Sequence, residues 1–136
     1  MFDMKKLIIF LFILVASAMS ASVYAKTIVY EGTIGQYNIH MVLDENFNGY
    51  YYYDHRPDSR FKLVKTRKVE CDDYGFCYSI TLQEYAPGNN KNTGEFVGEF
   101  HRVREGGYGV HYIEGTFRNK STGKTLPFEV YFYYEY

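Results

Sequence analysis

The strongest constraint on this chain lies between Gly94 and Asn119, where two alternating runs flank the pair Gly106-Gly107. A glycine pair between alternating segments signals a two-residue β-hairpin turn. Setting Glu105 opposite Tyr108 fixes every pair outward from it. Phe100 then faces Ile113, Gly98 faces Gly115 and Phe96 faces Phe117 on one side of the ribbon. On the other side Val103 meets Val110, His101 meets Tyr112, Glu99 meets Glu114 and Glu95 meets Arg118. A slip of one residue would turn each side chain over, so the clean division into an apolar and a mostly polar face supports this register.

The same alternation runs through the rest of the chain. Lys26 to Thr33 places Ile28, Tyr30 and Gly32 on one side, and a turn at Ile34-Gly35 leads into Gln36 to Asp44 with Tyr37, Ile39, Met41 and Leu43 on one face. Counting from that turn pairs Tyr30 with Ile39 and Ile28 with Met41. A loop at Asp44-Glu45-Asn46 precedes a strand from Phe47 to Asp54, although Asn48-Gly49 could itself be the turn. Pro57 breaks the chain after His55, because proline removes a donor and restricts Arg56 before it. Phe61 to Cys71 begins with Phe61 and Leu63 inward, then becomes polar on both faces (Lys65-Thr66-Arg67-Lys68) and should project beyond the core.

Cys77 to Tyr85 carries Tyr78, Ile80 and Leu82 as its buried set, followed by the polar loop Ala86 to Thr93. The last strand, Thr125 to Tyr136, turns Leu126, Phe128, Val130, Phe132 and Tyr134 one way and Glu129, Tyr131, Tyr133 and Glu135 the other. Pro127 requires an edge or bulge at its start. The fold expected is all-β: a single small antiparallel up-and-down meander of about eight strands, as a closed barrel in preference to a two-layer sandwich. Closure removes exposed edges, and strand-interior glycines (Gly32, Gly49, Gly98, Gly115) permit tight coiling. Tyr30-Glu31-Gly32-Thr33-Ile34 echoes Ile113-Glu114-Gly115-Thr116-Phe117, which reads as the shared demand of coiled strands rather than a repeat.

Residues 1–25 read as a secretory signal helix. Lys5 and Lys6 precede an apolar core from Leu7 to Ala16 that is short for a bilayer span, and Val23-Tyr24-Ala25 offers small residues for a peptidase. Cleavage near Ala25 is expected, with Ser20 or an uncleaved anchor as alternatives. Residues 26–136 then form one β-barrel-like domain. Of 15 basic and 16 acidic residues in the whole chain, removing Lys5, Lys6 and Asp3 leaves 13 and 15, a net charge of −2. Nucleic acid is not an expected partner at that charge. The mature form is expected to be periplasmic or secreted and not to span a membrane.

The cysteines fit that compartment. In Cys71-Asp72-Asp73-Tyr74-Gly75-Phe76-Cys77 a three-residue hairpin loop at Asp73-Tyr74-Gly75 sets Cys71 across from Cys77, as a non-hydrogen-bonded pair suited to a cross-strand disulfide.

Candidate chemistry is sparse. Glu99 opposite Glu114 places like charges across a ladder, at a spacing that retaining glycoside hydrolases use. A convex exterior offers no cleft, and a neighbouring Arg or Lys would be the ordinary way to separate the two charges. His40 and His101 point outward and His111 points inward beside Arg102, so the histidines cannot converge on a metal; Arg102 and His111 should close one barrel end. No metal or cofactor is expected, since no nucleophile triad, phosphate-cradling loop or nucleotide fingerprint can be placed.

Tyrosine is the remaining signal, at 16 residues with no tryptophan. Exposed tyrosine gives wide contact area at low entropy cost. The candidate binding surface is Tyr50, Tyr52, Arg56, Tyr74, Tyr131 and Tyr133, with contacts from the loops Asp54 to Arg60, Asp72 to Phe76 and Ala86 to Thr93. The expectation is an exported, non-enzymatic protein binding another protein of the envelope or extracellular space, as an inhibitor or immunity protein against an envelope-acting enzyme. A carrier of a small apolar ligand in the lumen is the alternative, and a glycoside hydrolase using Glu99 and Glu114 ranks third.

Overall fold

The computed structural model describes residues 26–71, 77–105 and 108–136. Residues 1–25, expected to be a signal helix, lie outside them, as do Tyr74 and the Gly106-Gly107 pair. Eight strands follow in order: β1 (Thr27–Ile34), β2 (Tyr37–Asp44), β3 (Gly49–Tyr53), β4 (Phe61–Glu70), β5 (Cys77–Tyr85), β6 (Asn92–Glu105), β7 (Tyr108–Asn119) and β8 (Thr125–Glu135). Each pairs antiparallel with its neighbour and β8 pairs with β1, so the sheet closes into a barrel. Among the described residues there is no helix.

The long hairpin has the register counted from its glycine pair, from Glu105–Tyr108 out to Gly94–Asn119. The first hairpin differs. Its loop is Gly35-Gln36, with Gly35 at φ 55°, so Ile34 pairs with Tyr37, Tyr30 with Met41 and Ile28 with Leu43. A two-residue loop with glycine first is the favoured hairpin geometry, and it moves the turn one residue on. The pairing shifts by two, which preserves both faces and puts Ile34 in the core instead of the turn.

Between β2 and β3 the loop is tied by Asp44, whose Oδ1 accepts from the Asn46 N–H at 2.8 Å and the Asn48 N–H at 3.1 Å. Neither turn foreseen from the sequence describes it fully. Phe47 sits in this loop at φ 62°, a costly conformation for a large residue, with its buried ring 5.3 Å from Phe100. Tertiary packing holds it there.

The interior is filled by aromatic rings. Phe96 stands at the centre, with centroids 4.8 Å from Phe117, 5.0 Å from Phe128 and 5.2 Å from Tyr51. Ile39, Met41, Leu43, Leu63, Ile80, Leu82, Ile113 and Val130 complete the dry wall.

Two expected core residues of β8 are exposed. A bulge at Val29/Tyr30 lets Phe132 pair with Tyr30 but sets Tyr134 across from Val29. The extra residue reverses the alternation, so Tyr134 turns outward and Glu135 takes the inward parity opposite Ile28. Leu126 is exposed because it precedes the last β1 pair, Ile34–Phe128, and its side chain lies over Gly35 in the turn. Pro127 lies at this local edge: its carbonyl accepts from the Gly35 N–H at 2.8 Å, and its missing donor falls beyond the β1 ladder.

Cys71 and Cys77 form a disulfide with Cα atoms 5.1 Å apart. They are joined by a Cys71 N–H bond to the Cys77 carbonyl at 3.0 Å, so this is a hydrogen-bonded position rather than the non-bonded one expected. The bridge ties the far part of β4, which pairs only with β5 beyond Leu63 and is exposed from Thr66 onward. Replacing both cysteines with alanine should lower the unfolding free energy by about 2 kcal/mol, the loop-entropy value for so short a closure. Urea unfolding followed by circular dichroism checks this; no loss would mean the projecting hairpin unfolds separately from the barrel.

Candidate functional site

An up-and-down barrel gathers alternate connections at each end. The β1–β2 turn, the β3–β4 loop (residues 54–60), the β5–β6 loop (residues 86–91) and the β7–β8 turn share one end, and Glu70 and Cys77, where β4 ends and β5 begins, lie at the other. Of the three loops foreseen as contacts, Asp54 to Arg60 and Ala86 to Thr93 come together, and Asp72 to Phe76 lies outside the described residues.

Where the two loops meet, Tyr37, Tyr53, His55, Arg56, Ser59, Phe61 and Pro87 line a cleft of about 410 Å³. Tyr37 has the inward parity read from the sequence, but at the rim it is 55% exposed. Tyr37 meets Tyr53 edge-on at 6.0 Å, and His55 lies 5.8 Å from Tyr53 and 6.4 Å from Tyr37. Tyr53 also packs edge-on against Phe61 at 6.0 Å. The Arg56 N–H donates to the Tyr53 carbonyl at 2.9 Å, which turns the loop back over the cleft after β3.

Beneath the cleft is a feature the sequence reading missed. Glu84 is 3% exposed, inside the barrel. Its carboxylate accepts from the buried Tyr51 hydroxyl and, at 2.6 Å, from the Thr93 hydroxyl. Burial raises the Glu84 carboxyl above its ordinary value, against the lowering effect of these two hydrogen bonds. Burial and the neighbouring carboxylate drive Tyr51 upward as well, far above the normal phenol range. Gly94, paired with Glu84, leaves room for the carboxyl: a Cβ there would lie 3.0 Å from Glu84 Cδ and 2.5 Å from the Phe117 ring. Strand parity was the available signal, since Glu84 continues the inward series Tyr78, Ile80, Leu82.

The foreseen tyrosine surface lies on the outer wall. Tyr50 and Tyr52 stack at 6.5 Å, with the Arg60 guanidinium 4.6 Å and 5.6 Å from their centroids. Tyr52 stacks on His40 at 4.8 Å. One His40 ring nitrogen meets Glu31 and the other meets Asp54 at 2.8 Å. Burial pulls His40 down, but hydrogen bonds to Asp54 and Glu31 outweigh it and hold the imidazole above its usual value. The ladder runs on from Glu31 to Tyr131, which stacks on Tyr112 at 5.7 Å. Tyr50, Tyr52 and Tyr131 thus belong to one wall, Tyr133 stands exposed on β8 past Phe132, and Arg56 is apart from all of them in the cleft.

No family model, curated protein or solved structure matches this chain.

The remaining candidates occupy the other end and the exterior. His111 points inward, its ring 5.4 Å from Phe100 and 5.6 Å from Phe132, and with Arg102 it lines the opposite mouth of the barrel. Burial first and then Arg102 push the His111 imidazole below its ordinary value. Glu99 and Glu114 do face each other on the outside, and β8 adds Glu129 beside Glu114. Between Glu99 and Glu114 stands His101, not the Arg or Lys expected there. These carboxylates edge an open depression on the barrel exterior, where water has free access.

Proposed function

We propose that this chain is an exported, non-enzymatic binding protein of the periplasm or extracellular space, acting as an inhibitor or immunity protein against an envelope-acting enzyme. The convergence of two loops on the aromatic cleft beside Arg56 carries the reading. Tyrosine and arginine dominate the energetic centres of protein interfaces, and a cleft that seats one partner side chain desolvates it fully. Tyr53 is braced from behind by Tyr51, Phe61 and the Glu84 hydrogen bonds, so little ordering entropy is lost on contact.

The disulfide suits an oxidising compartment, in keeping with the signal-like residues 1–25. Among the described residues no helix is long and apolar enough to cross a membrane. A membrane barrel would carry an apolar outer band and a polar lumen; this one has Glu31, His40, Glu99 and Glu114 outside and phenylalanine within. The carrier alternative is weakened by Phe96, Phe117, Phe128 and Tyr51 meeting across the lumen, where a ligand would have to sit.

The test is affinity capture from envelope extract with the mature protein as bait. Wild type and Tyr133→Ala should retain the same stoichiometric protein, while Arg56→Ala and Tyr37→Ala should lose it. Retention unchanged in all four, or no retained protein at any salt concentration, contradicts the proposal.

A further inference from the structure

We propose that Glu99, His101 and Glu114 form a binding site for a first-row divalent metal ion on the barrel exterior, independent of the partner-binding cleft. The two outward histidines use their carboxylates differently. At His40 the two acids take opposite ring nitrogens, one acceptor for each possible N–H. At His101 both acids converge on a single nitrogen: Nε2 lies 3.3 Å from Glu99 Oε2 and 3.6 Å from Glu114 Oε1. One N–H cannot serve two acceptors well, and here it serves neither, since Nε2 is shielded from solvent and makes no hydrogen bond.

Three donor atoms gathered close to one another are what a cation requires. The three atoms lie within 4.8 Å of one another. A tetrahedral ion with ligands at about 2.0–2.1 Å places neighbouring donors about 3.3 Å apart, close to the spacings from Nε2. The His101 ring is held in this orientation by stacking on Tyr112 at 4.6 Å and 13°. The glutamates come from adjacent positions on β6 and β7, so the ladder itself fixes their separation. The ion would also offset the repulsion of a like-charged pair set directly across the ladder. One imidazole and two carboxylates suit zinc or cobalt better than calcium, which prefers an all-oxygen cage. The Cys71 and Cys77 sulfurs also lie near Glu99, but the disulfide withholds both thiolates.

The experiment titrates the oxidised mature protein with Zn²⁺ by calorimetry at neutral pH, without reductant, and with Co²⁺ by visible absorption. One saturable ion per chain, with cobalt ligand-field bands, is expected. His101→Ala and the double change Glu99→Gln/Glu114→Gln should each weaken uptake by at least about tenfold, a floor set by what loss of a mere supporting partner costs a metal site. His40→Ala should leave it unchanged. The glutamine pair removes a repulsion, so it keeps the test sound if His101→Ala folds poorly. Absence of saturable uptake, or uptake unaffected by the glutamine pair, overturns the proposal.

Discussion

Gly115→Ala is expected to remove a large share of the stability of the barrel, a loss of about 4 kcal/mol or more against the ~5–15 kcal/mol that holds such a domain folded. A Cβ at this position would lie 2.1 Å from the Val97 carbonyl oxygen and 2.5 Å from the Gly98 Cα. Both are backbone atoms of the paired strand β6, so relief requires breaking the β6–β7 ladder rather than rotating a side chain. Gly32 is in the same situation against β8, with a Cβ 1.9 Å from the Glu129 oxygen. Gly88→Ala is the comparison: nothing lies within 4 Å of its Cβ, and only the positive φ of 90° is strained. That variant should lose about 1–2 kcal/mol. Urea midpoints followed by circular dichroism measure both, and a wild-type midpoint for Gly115→Ala would show that β6 and β7 do not approach so closely.

Glu84 carries the second large effect, and pH reveals it. Because burial raises the folded-state carboxyl above its unfolded value, the folded protein holds this proton more tightly. The contribution is fully present below the unfolded carboxyl pKa of about 4.3 and is lost as pH rises through the folded value. Stability should therefore decline with rising pH across that interval. Glu84→Gln keeps the shape and mimics the protonated acid, since its amide can accept from Tyr51 and donate to Thr93, so it should flatten the decline. Glu84→Ala strands the Tyr51 hydroxyl in a dry interior and opens a void, a cost of roughly 3 kcal/mol. Denaturation midpoints measured from acid to neutral pH distinguish the three proteins; parallel curves for wild type and Glu84→Gln would show that the carboxyl is not held in a low-dielectric site.

Most of the architecture was legible because alternation and turns agree. The glycine pair gave the whole β6–β7 register, and Phe96, Phe100 and Phe117 proved buried as that register required. The echo between residues 30–34 and 113–117 also had a physical cause: Gly32 and Gly115 each sit where a neighbouring backbone leaves no room for a Cβ. Failures arose where the period breaks. A bulge at Val29/Tyr30, invisible in composition, reversed Tyr134 and Glu135. Glu84 was legible by parity but reads as polar, and only the Tyr51 and Thr93 hydroxyls, distant in the chain, make its burial tolerable. The cleft was least legible, since Arg56, Tyr37 and Pro87 meet only once the barrel has brought three connections to one end. The Glu99–Glu114 opposition was foreseen, but His101 was weighed only against other histidines.

Both the loop-end cleft and the dry interior depend on β8 closing against β1. Backbone nuclear Overhauser contacts in the mature, isotope-labelled protein test that closure directly. Contacts joining Tyr30 to Phe132, Gly32 to Val130 and Ile34 to Phe128 are predicted. If these are missing while the β1–β2 and β7–β8 contacts remain, the sheet is open and the barrel description is wrong.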